Sequence, residues 1–408
     1  MKYFLALIVL GLMCPITLSA KMQASRESSP VNDFSLRLLK HQIKLGKEKE
    51  NITLSALSAA NTLAVLHALS DNSARKEIEK VLSSPEQVLS IIPNIKRRQP
   101  TGSSFYKQPE YAWSFRAAEG MFSSKSNHLE KQVKAFQNSI SFVKIDFSSK
   151  ENPNQVINKW VDGQTDFQIK NFLQGSKIPD FANLIIVNAV SLKGSWKHPF
   201  NPKKTHLKPF FTPGKTVNVP MMSKIRVPLA CHIEDSGLVS IALPYASPNS
   251  GGDAMPDLTL MIIMPGKNTD LSGFIEKSTL ASLQTHMPHK QMEVELEFPR
   301  FKSCGNTISL NPALQSMGVD QIFSKPQRKQ NTPVHVDNIF HQCFLSISEA
   351  GTEPLPPPSE KESEEGDELS LQSNLPRISI NRPFMWFIYD KSTHCMVFIG
   401  AQFDPTPN

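Results

Sequence analysis

Cysteine and local catalytic motifs are scarce in this sequence. Only 5 of the 408 residues are cysteines, and none belongs to the closely spaced Cys/His pattern that binds a structural zinc ion. No nucleophile elbow, HExxH, P-loop or glycine-rich dinucleotide motif occurs in the chain. We therefore predict that the protein is not an enzyme and that it has no metal and no cofactor.

The cysteines are too few and too widely spaced to define a disulfide framework. Cys14 lies in the first twenty residues, and the others are Cys231, Cys304, Cys343 and Cys395. Four cysteines allow three pairings, and the spacing favours none of them. We interpret these thiols as small buried hydrophobic side chains.

Long apolar runs are missing after residue 20. Residues 1–20, MKYFLALIVLGLMCPITLSA, contain one lysine, an apolar segment and small residues at the end. This pattern is typical of a secretory signal peptide and is too short for a membrane span. Residues 21–31 form a polar leader. We therefore predict a secreted, extracellular protein without a membrane span, and we expect a monomer.

A strong excess of one charge is absent as well. The formal net charge is +7, but residues 359–368 contain six acidic residues and one lysine, which leaves +12 on the rest of the chain. This basic remainder could attract its own acidic segment or bind polyanions weakly. The cluster Lys96-Arg97-Arg98 is the candidate polyanion patch, although a solvated helix end explains so short a run better. No nucleic-acid partner is expected.

The order of helical and strand-like segments predicts a mixed α+β fold in one domain, residues 32–408. Apolar runs such as residues 183–196, NLIIVNAVSLKGSW, alternate with helical segments without a βαβ repeat. Inside that buried run lies Asn188, whose amide requires hydrogen-bond partners. Asn51 begins the glycosylation sequon NIT. It opens a strand that we expect to be buried, so we predict that the sequon is not used.

The most unusual stretch runs from His341 to Phe384. It begins and ends with strand patterns, and between them residues 350–376 contain a proline run followed by the acidic residues. Proline lacks a backbone donor and like charges repel each other, so this stretch cannot be core. A long polar connection between two strong strands is usually functional or disordered. We predict that it carries the function.

Sequence blocks from about residue 31 to the end of the chain resemble the serpin family and follow that family's order. The blocks are NITLSALS, INKWVDGQT, VNAVSLKGSWKHPF, VPMM, LPY, LTLMIIMP, PRF, LQSMGV, HQCFLSISEAGTE, NRPFMWFIYD and FIGAQFDP. The resemblance implies three β-sheets, eight or nine helices and an exposed reactive-centre loop near the C-terminus. It also implies inhibition of serine proteases by a loop that is cleaved and then inserts into the largest sheet as a new strand.

The resemblance assigns roles to three groups of residues. The polar cluster beneath the opening sheet, or shutter, comprises Ser55, Ser58, Asn188 and His341. The aromatic residue at the point of loop entry, the breach, is Trp196. The hinge at the base of the loop comprises Glu349, Gly351, Thr352, Glu353, Pro354, Pro356, Pro357 and Pro358. The family's usual proline after the first shutter serine is replaced by Ala56.

The composition of the hinge favours a non-inhibitory member of that family. Inhibitors of the family continue the hinge with small residues, whereas four prolines here would each lose a ladder hydrogen bond, at about 1 kcal/mol each. If Thr352 faces inward, strand alternation would bury Glu360 and Glu362 as well. We therefore predict a secreted protein that acts by binding or as a decoy substrate. The alternative is a working inhibitor whose partner is an extracellular serine protease.

The cleavage site in the loop stays open at this point. Counting back from Pro383-Phe384 places the bait bond at Gln372-Ser373, whereas counting forward from the hinge places it near Glu365. Because the two counts disagree, the sequence does not indicate which protease would cut the loop.

Overall fold

A computed structural model describes residues 29–46, 49–99, 113–124, 127–149, 151–246, 258–304, 306–324, 334–352 and 374–406. The predicted signal peptide and most of the polar leader lie outside these residues. So do several loop positions, namely Glu353, Pro354, Pro356, Pro357, Pro358, Glu365, Gln372 and Ser373. What the sequence predicts for them stays a prediction.

Ten α-helical segments lie within the described residues. They are α1 (Pro30–Leu45), α2 (Ala56–Leu69), α3 (Asn72–Val81), α4 (Pro85–Val88), α5 (Ile91–Arg98), α6 (Asn127–Val133), α7 (Pro153–Gln164), α8 (Leu271–Lys277), α9 (Leu280–Thr285) and α10 (Asn311–Ser316). Only Leu89 and Ser90 separate α4 from α5, so the two count as one interrupted helix and the total becomes nine. In the part of the chain described, no helix is long and apolar enough to cross a membrane.

Side chains that accept hydrogen bonds from free backbone N–H groups set several helix starts. Before α3, Asp71 Oδ1 accepts from the backbone N–H groups of Ser73 and Ala74, at 3.0 Å each. Thr279 and Ser282 form a reciprocal capping box at α9. In contrast, α2 is buried at every position from Ala56 to Leu66, so it is a central helix with neighbours on all sides.

Sixteen strands form two hydrogen-bonded sheets among the described residues. They are β1 (Ile52–Leu54), β2 (Trp113–Ser123), β3 (Ser141–Lys144), β4 (Leu184–Ser195), β5 (His206–Thr212), β6 (Lys215–Ile233), β7 (Val239–Pro244), β8 (Leu258–Met264), β9 (Lys290–Pro299), β10 (Phe301–Cys304), β11 (Ile308–Ser309), β12 (Asn338–Ile347), β13 (Gly351–Thr352), β14 (Arg377–Ser379), β15 (Phe384–Asp390) and β16 (Cys395–Gln402). The main sheet has the order β10-β12-β13-β4-β2-β3, with β11 beside β12. The second sheet has the order β1-β16-β15-β8-β7-β6-β9-β14, with β5 beside β6.

The predicted α+β fold is confirmed, with one difference in the sheets. Three sheets were expected, whereas the second and third are continuous through hydrogen bonds in this structure. The reason is β6, which is 19 residues long and pairs with β9 on both sides of an irregularity between Lys224 and Val227. At this irregularity Arg226 has a φ of 57°, so the strand changes direction without leaving the ladder.

Alternate residues of β4 face two different hydrophobic clusters. Those on the inner face, which belong to the large core, are Leu184, Ile186, Val190 and Leu192. Those on the outer face, which cluster with buried residues of α7, are Ile185, Val187 and Ala189. The strand is therefore buried on both sides, as its nearly continuous apolar run predicted.

Candidate functional site

Two residues of the predicted hinge form a short strand inside the main sheet. This strand, β13, lies between β12 and β4 at what we call the upper end of the sheet, and it is antiparallel to both. Thr352 pairs with Ile347 on one side and with Gly194 on the other, and its exposed fraction is 0%. The base of the loop is therefore already seated in the sheet.

Gly351 can occupy this position because it has no side chain. Its φ of 149° lies in a region that side-chain-bearing residues rarely adopt. A Cβ at this position would collide with the backbone carbonyl of Gly194. The close approach of these two glycine backbones is what allows the hinge to enter between β4 and β12.

The segment that follows β4 binds the residues just before β13. The backbone N–H of Trp196 donates to the carbonyl of Ala350, and its indole Nε1 donates to the carbonyl of Ser348, both at 2.9 Å. The backbone N–H of Phe200 donates to the carbonyl of Glu349, also at 2.9 Å. The predicted entry residue Trp196 therefore holds the hinge with its backbone and with its side chain.

Glu349, the first hinge residue, is a buried carboxylate with two partners. Thr205 Oγ1 donates to Glu349 Oε1 at 2.6 Å, and Arg300 forms an ion pair with the same oxygen. Burial acts to raise the pKa of Glu349, but these donors outweigh it and the pKa lies below its ordinary value. Glu349 therefore anchors the hinge as an ionised group.

Tyr245 closes the site from the inner face. Its ring centre lies 4.7 Å from that of Trp196, and its hydroxyl is hydrogen-bonded to Thr352 Oγ1. Burial raises the pKa of Tyr245, so the phenol stays neutral. The sequence pointed to the block LPY, but the spacing of residues could not show that this tyrosine meets the hinge.

The predicted shutter residues meet beneath the main sheet. His341 Nε2 accepts a hydrogen bond from the backbone N–H of Ser55 at 3.1 Å, and Ser55 Oγ accepts one from the backbone N–H of Ser58 at 3.4 Å. Asn188 Oδ1 accepts from Thr62 Oγ1 at 3.0 Å. Asn188 and His341 are register neighbours on β4 and β12. The helix α2 therefore supports both strands at the same level.

Glu119 adds a buried acid to this cluster. It pairs in register with Asn188, so Glu119, Asn188 and His341 form one row across β2, β4 and β12, and its carboxyl group accepts a hydrogen bond from Asn61. Burial raises the pKa of Glu119 to about 8 and lowers the pKa of His341 to about 4. Both groups are therefore mainly neutral near pH 7. The available sequence signal is a single acid among the mostly apolar residues 113–122.

Below Thr352 the main sheet is closed. β12 and β4 pair directly and in parallel over seven residue pairs, from Asn338 with Ile185 to Phe344 with Ser191. Further entry of the loop would require all of these pairs to separate. Since the shutter residues lie in the middle of this ladder, they are the groups that must rearrange.

Two residues of the candidate polyanion patch, Lys96 and Arg98, form contacts within the protein. Lys96 Nζ donates to the carbonyl of Ala117 at 3.2 Å. Arg98 forms a 2.7 Å ion pair with the fully buried Asp390, and its guanidinium lies 5.9 Å from the ring centre of Trp113. These contacts favour a structural role for Lys96 and Arg98. Polyanion binding at this cluster stays a prediction.

Both the oxygen and the nitrogen of the side-chain amide of Asn51, the sequon residue, form hydrogen bonds. Its Oδ1 accepts from the backbone N–H groups of Phe403 at 2.8 Å and Asp404 at 3.0 Å, and its Nδ2 donates to the carbonyl of Asp404 at 2.6 Å. A glycan on Nδ2 would displace the C-terminal segment. This geometry favours the prediction that the sequon is not used.

The described cysteines are buried free thiols. They are Cys231, Cys343 and Cys395. Burial raises the pKa of all three, to about 11 for Cys231 and about 12 for Cys395, so they stay protonated and unreactive. The side chain of Cys304 lies outside the described part of the chain.

A seated hinge strand, a closed ladder below it and a polar cluster beneath that ladder define a class of protein. In this class the base of a loop is paired between two strands of the main sheet, as Gly351 and Thr352 are here.

Comparison with known proteins identifies the family. A family model described as serpin (serine protease inhibitor) matches residues 29–405. Serpin B10 of Rhinolophus ferrumequinum is 26% identical over 414 residues, covering 92% of this chain and 98% of the relative. Antithrombin-III of Mus musculus is 25% identical over 398 residues, covering 92% of this chain and 81% of the relative. The chain belongs to the serpin family.

Solved structures support the same fold. Native protease nexin-1 with heparin aligns with a TM-score of 0.75 at 21% identity, covering 92% of this chain and 98% of the other. A complex of thyroxine-binding globulin with thyroxine aligns with a TM-score of 0.75 at 20% identity, covering 93% of this chain and 99% of the other. The serpin fold is thus confirmed, and one relative with this fold binds a small molecule. Membership of the family does not decide between inhibition and binding.

Proposed function

We propose that this serpin does not trap proteases by full insertion of its loop, and that it acts by binding a partner or as a decoy substrate. The observation that carries the proposal is the register of Thr352, which is paired on both sides and faces the inner core. Because side chains alternate along a strand, this one position fixes the face of every residue that would follow it into the sheet.

Extending the pairing of β13 identifies the neighbours that each inserted residue would meet. The inward positions and their two neighbours would be Pro354 with Leu192 and Leu345, Pro356 with Val190 and Cys343, Pro358 with Asn188 and His341, and Glu360 with Ile186 and Ile339. Pro358 would therefore enter the polar cluster, and Glu360 would enter the apolar core beneath it.

The four prolines and Glu360 both oppose insertion of the loop into the main sheet. Each of the four prolines removes one donor from a central strand, at about 1 kcal/mol per lost hydrogen bond before any steric strain. Ile186 and Ile339 are both 0% exposed, so an ionised Glu360 between them would cost several kcal/mol more. Together these costs act against the energy that loop insertion would release.

Cleavage of the loop tests the proposal directly. The protein is incubated with a panel of trypsin-like and chymotrypsin-like proteases, and the thermal midpoint is measured before and after the loop is cut. We expect the midpoint to stay within about 2 °C, because no new strand forms, and we expect no SDS-stable complex. A large increase in the midpoint, or a covalent complex with any protease, would contradict the proposal.

Inhibition of a serine protease is the second candidate function, and one observation favours it. Gly351 and Thr352 have already entered the sheet, so the first step of insertion costs nothing further. The seven direct pairs between β12 and β4 and the prolines stand against the following steps. An SDS-stable complex with an extracellular serine protease would establish this alternative.

We also propose that the protein is secreted, on the basis of the signal-like composition of residues 1–20. We propose as well that it is a monomer. Expression of the full chain in animal cells should deliver it to the medium without these residues, as N-terminal sequencing would reveal. Retention in the cytosol would contradict secretion. Elution as a single-chain species in size-exclusion chromatography would support the monomer.

A further inference from the structure

Three side chains that can bind a metal, from two separate segments, meet beside the C-terminal end of β6 in the second sheet. His232 and Glu234 lie at the end of β6, and His286 follows α9. Glu234 Oε1 lies 3.0 Å from His232 Nε2 and 2.9 Å from His286 Nδ1, and the three atoms lie within 4.8 Å of one another. We propose that this group binds a zinc-type divalent cation, with His289 as a fourth ligand.

The separations between the ligand atoms suit a tetrahedral ion. Zinc bonds of 2.0–2.1 Å place neighbouring ligand atoms about 3.3 Å apart. The two measured separations from Glu234 Oε1, 3.0 and 2.9 Å, are shorter by only a few tenths of an ångström. A cation can therefore enter when His232 and His286 rotate slightly and the hydrogens that now face the carboxylate leave the ligating nitrogens. In a neutral imidazole the hydrogen moves to the other ring nitrogen through solvent, and an imidazolium releases it to solvent.

His289 lies beside these three side chains and is the candidate fourth ligand. Cys231 of β6 pairs with Lys290 of β9, so extending this register by one residue places His289 opposite His232, and their ring centres are 5.0 Å apart. His289 Nδ1 lies 3.1 Å from the carbonyl of Met287. Since a carbonyl can only accept, Nδ1 carries the hydrogen and Nε2 keeps its lone pair for a metal.

Local hydrogen bonds hold the carboxylate ligand in place. Ser236 Oγ donates to the second carboxylate oxygen of Glu234 at 3.1 Å. The backbone of Glu234 is fixed in a turn by hydrogen bonds with Leu238 at 3.0 Å and Gly237 at 2.9 Å. The side chains of His232, Glu234 and His286 are 19%, 33% and 21% exposed, so an ion can reach them from solvent.

The imidazole nitrogens and the carboxylate oxygen of this site favour zinc over calcium and magnesium. Imidazole nitrogen with one carboxylate suits zinc, whereas calcium and magnesium prefer all-oxygen sites. A bound ion would connect the hairpin of β6 and β7 to the end of α9 and would stabilise the native state by mass action. The sequence predicted no metal because the patterns H-x-E and H-x-x-H lie in distant segments that only folding brings together.

Calorimetric titration of the full secreted chain, without a histidine tag, with ZnCl₂ tests the site. We expect a dissociation constant of about 10 µM or tighter, at least a tenfold loss of affinity for His232→Ala, Glu234→Gln or His286→Ala, and a smaller loss for His289→Ala. Co²⁺ should give the visible bands of a low-coordinate imidazole site, and MgCl₂ should give no binding. His67→Ala is the matched control, because His67 pairs with Glu79 at 2.9 Å through a single imidazole.

Two results would overturn the proposal. One is zinc affinity weaker than about 100 µM in the wild-type protein. The other is an unchanged affinity in the His232→Ala/His286→Ala double variant, which would place the bound zinc elsewhere. Thermal midpoints in EDTA confirm that each variant is folded, and the conservative Glu234→Gln keeps the test valid if an alanine variant does not fold.

Discussion

The hydroxyl groups of Thr352 and Tyr245 are hydrogen-bonded to each other beneath the upper end of the main sheet, although 107 residues separate them in the chain. This contact, with the pairing of Thr352 to Ile347 and Gly194, fixes which face of the hinge points into the core. It therefore decides that the even-numbered residues beyond Thr352 would face inward if the loop inserted.

Replacing Gly351 with alanine should expel the hinge from the sheet. The added Cβ would collide with the backbone of Gly194, and the φ of 149° disfavours any side chain. We expect faster hydrogen exchange at the amides of β13 and a change in Trp196 fluorescence. The matched control is Gly163→Ala on α7, where a Cβ meets nothing within 4 Å. If Gly351→Ala kept wild-type exchange protection, the seating of the hinge would not depend on this glycine.

Replacing the prolines and two of the acidic residues in the loop should allow the loop to insert after cleavage. The variant replaces the four hinge prolines, Glu360 and Glu362 with alanine, which restores four backbone donors and removes two inward carboxylates. We expect cleavage of its loop to raise the thermal midpoint by about 10 °C or more.

A matched control for this variant keeps the proline replacements but substitutes Glu365 and Asp367 instead of Glu360 and Glu362. The same number of charges is removed, yet in the extended register these two positions lie beyond Leu184 and Asn338, where β4 and β12 begin, and so outside the sheet. The control should gain less stability on cleavage. Equal gains would indicate that net charge, and not burial of the carboxylates, opposes insertion.

Glu119 should make the protein less stable as the pH rises. Its folded pKa of about 8 lies above the ordinary value of 4.5, so the native state binds the proton more tightly than the unfolded chain does. Between these two values the stability should fall by up to about 1.4 kcal/mol per pH unit relative to Glu119→Gln. Below pH 4.5 the carboxyl is protonated in both the folded and the unfolded state, so the difference between the two proteins should no longer change with pH. Thermal midpoints of both proteins from pH 4 to 9 check this. Parallel curves would show that Glu119 is already ionised in the native state.

Arg98→Ala should destabilise the protein far more than Arg97→Ala. Loss of Arg98 leaves Asp390 buried without its cation, which costs about 3 kcal/mol. Arg97 is exposed at the end of α5, so its loss should cost less than about 0.5 kcal/mol. Urea unfolding measures both, and retention on heparin separates a structural role from a binding role. A large loss of heparin affinity in Arg97→Ala with unchanged stability would support the polyanion patch.

The sequence by itself determined the family and the α+β fold, and it predicted which residues form the hinge and the polar cluster. Ordered blocks along the chain identified the hinge, Trp196 and the polar cluster, because these residue types recur at fixed places relative to the strands that carry them. The composition beyond Thr352 also predicts that insertion is costly, since proline lacks a donor and a carboxylate resists burial in any fold.

Only the tertiary structure decided which of these residues touch and what lies beside them. Thr352 reaches Tyr245, Glu119 joins the row of Asn188 and His341, and Arg98 turns inward to Asp390. The cluster of His232, Glu234 and His286 likewise arises where the end of β6 meets the end of α9. These contacts depend on strand register and on elements distant in sequence, and the local pattern of residues carries no information about either.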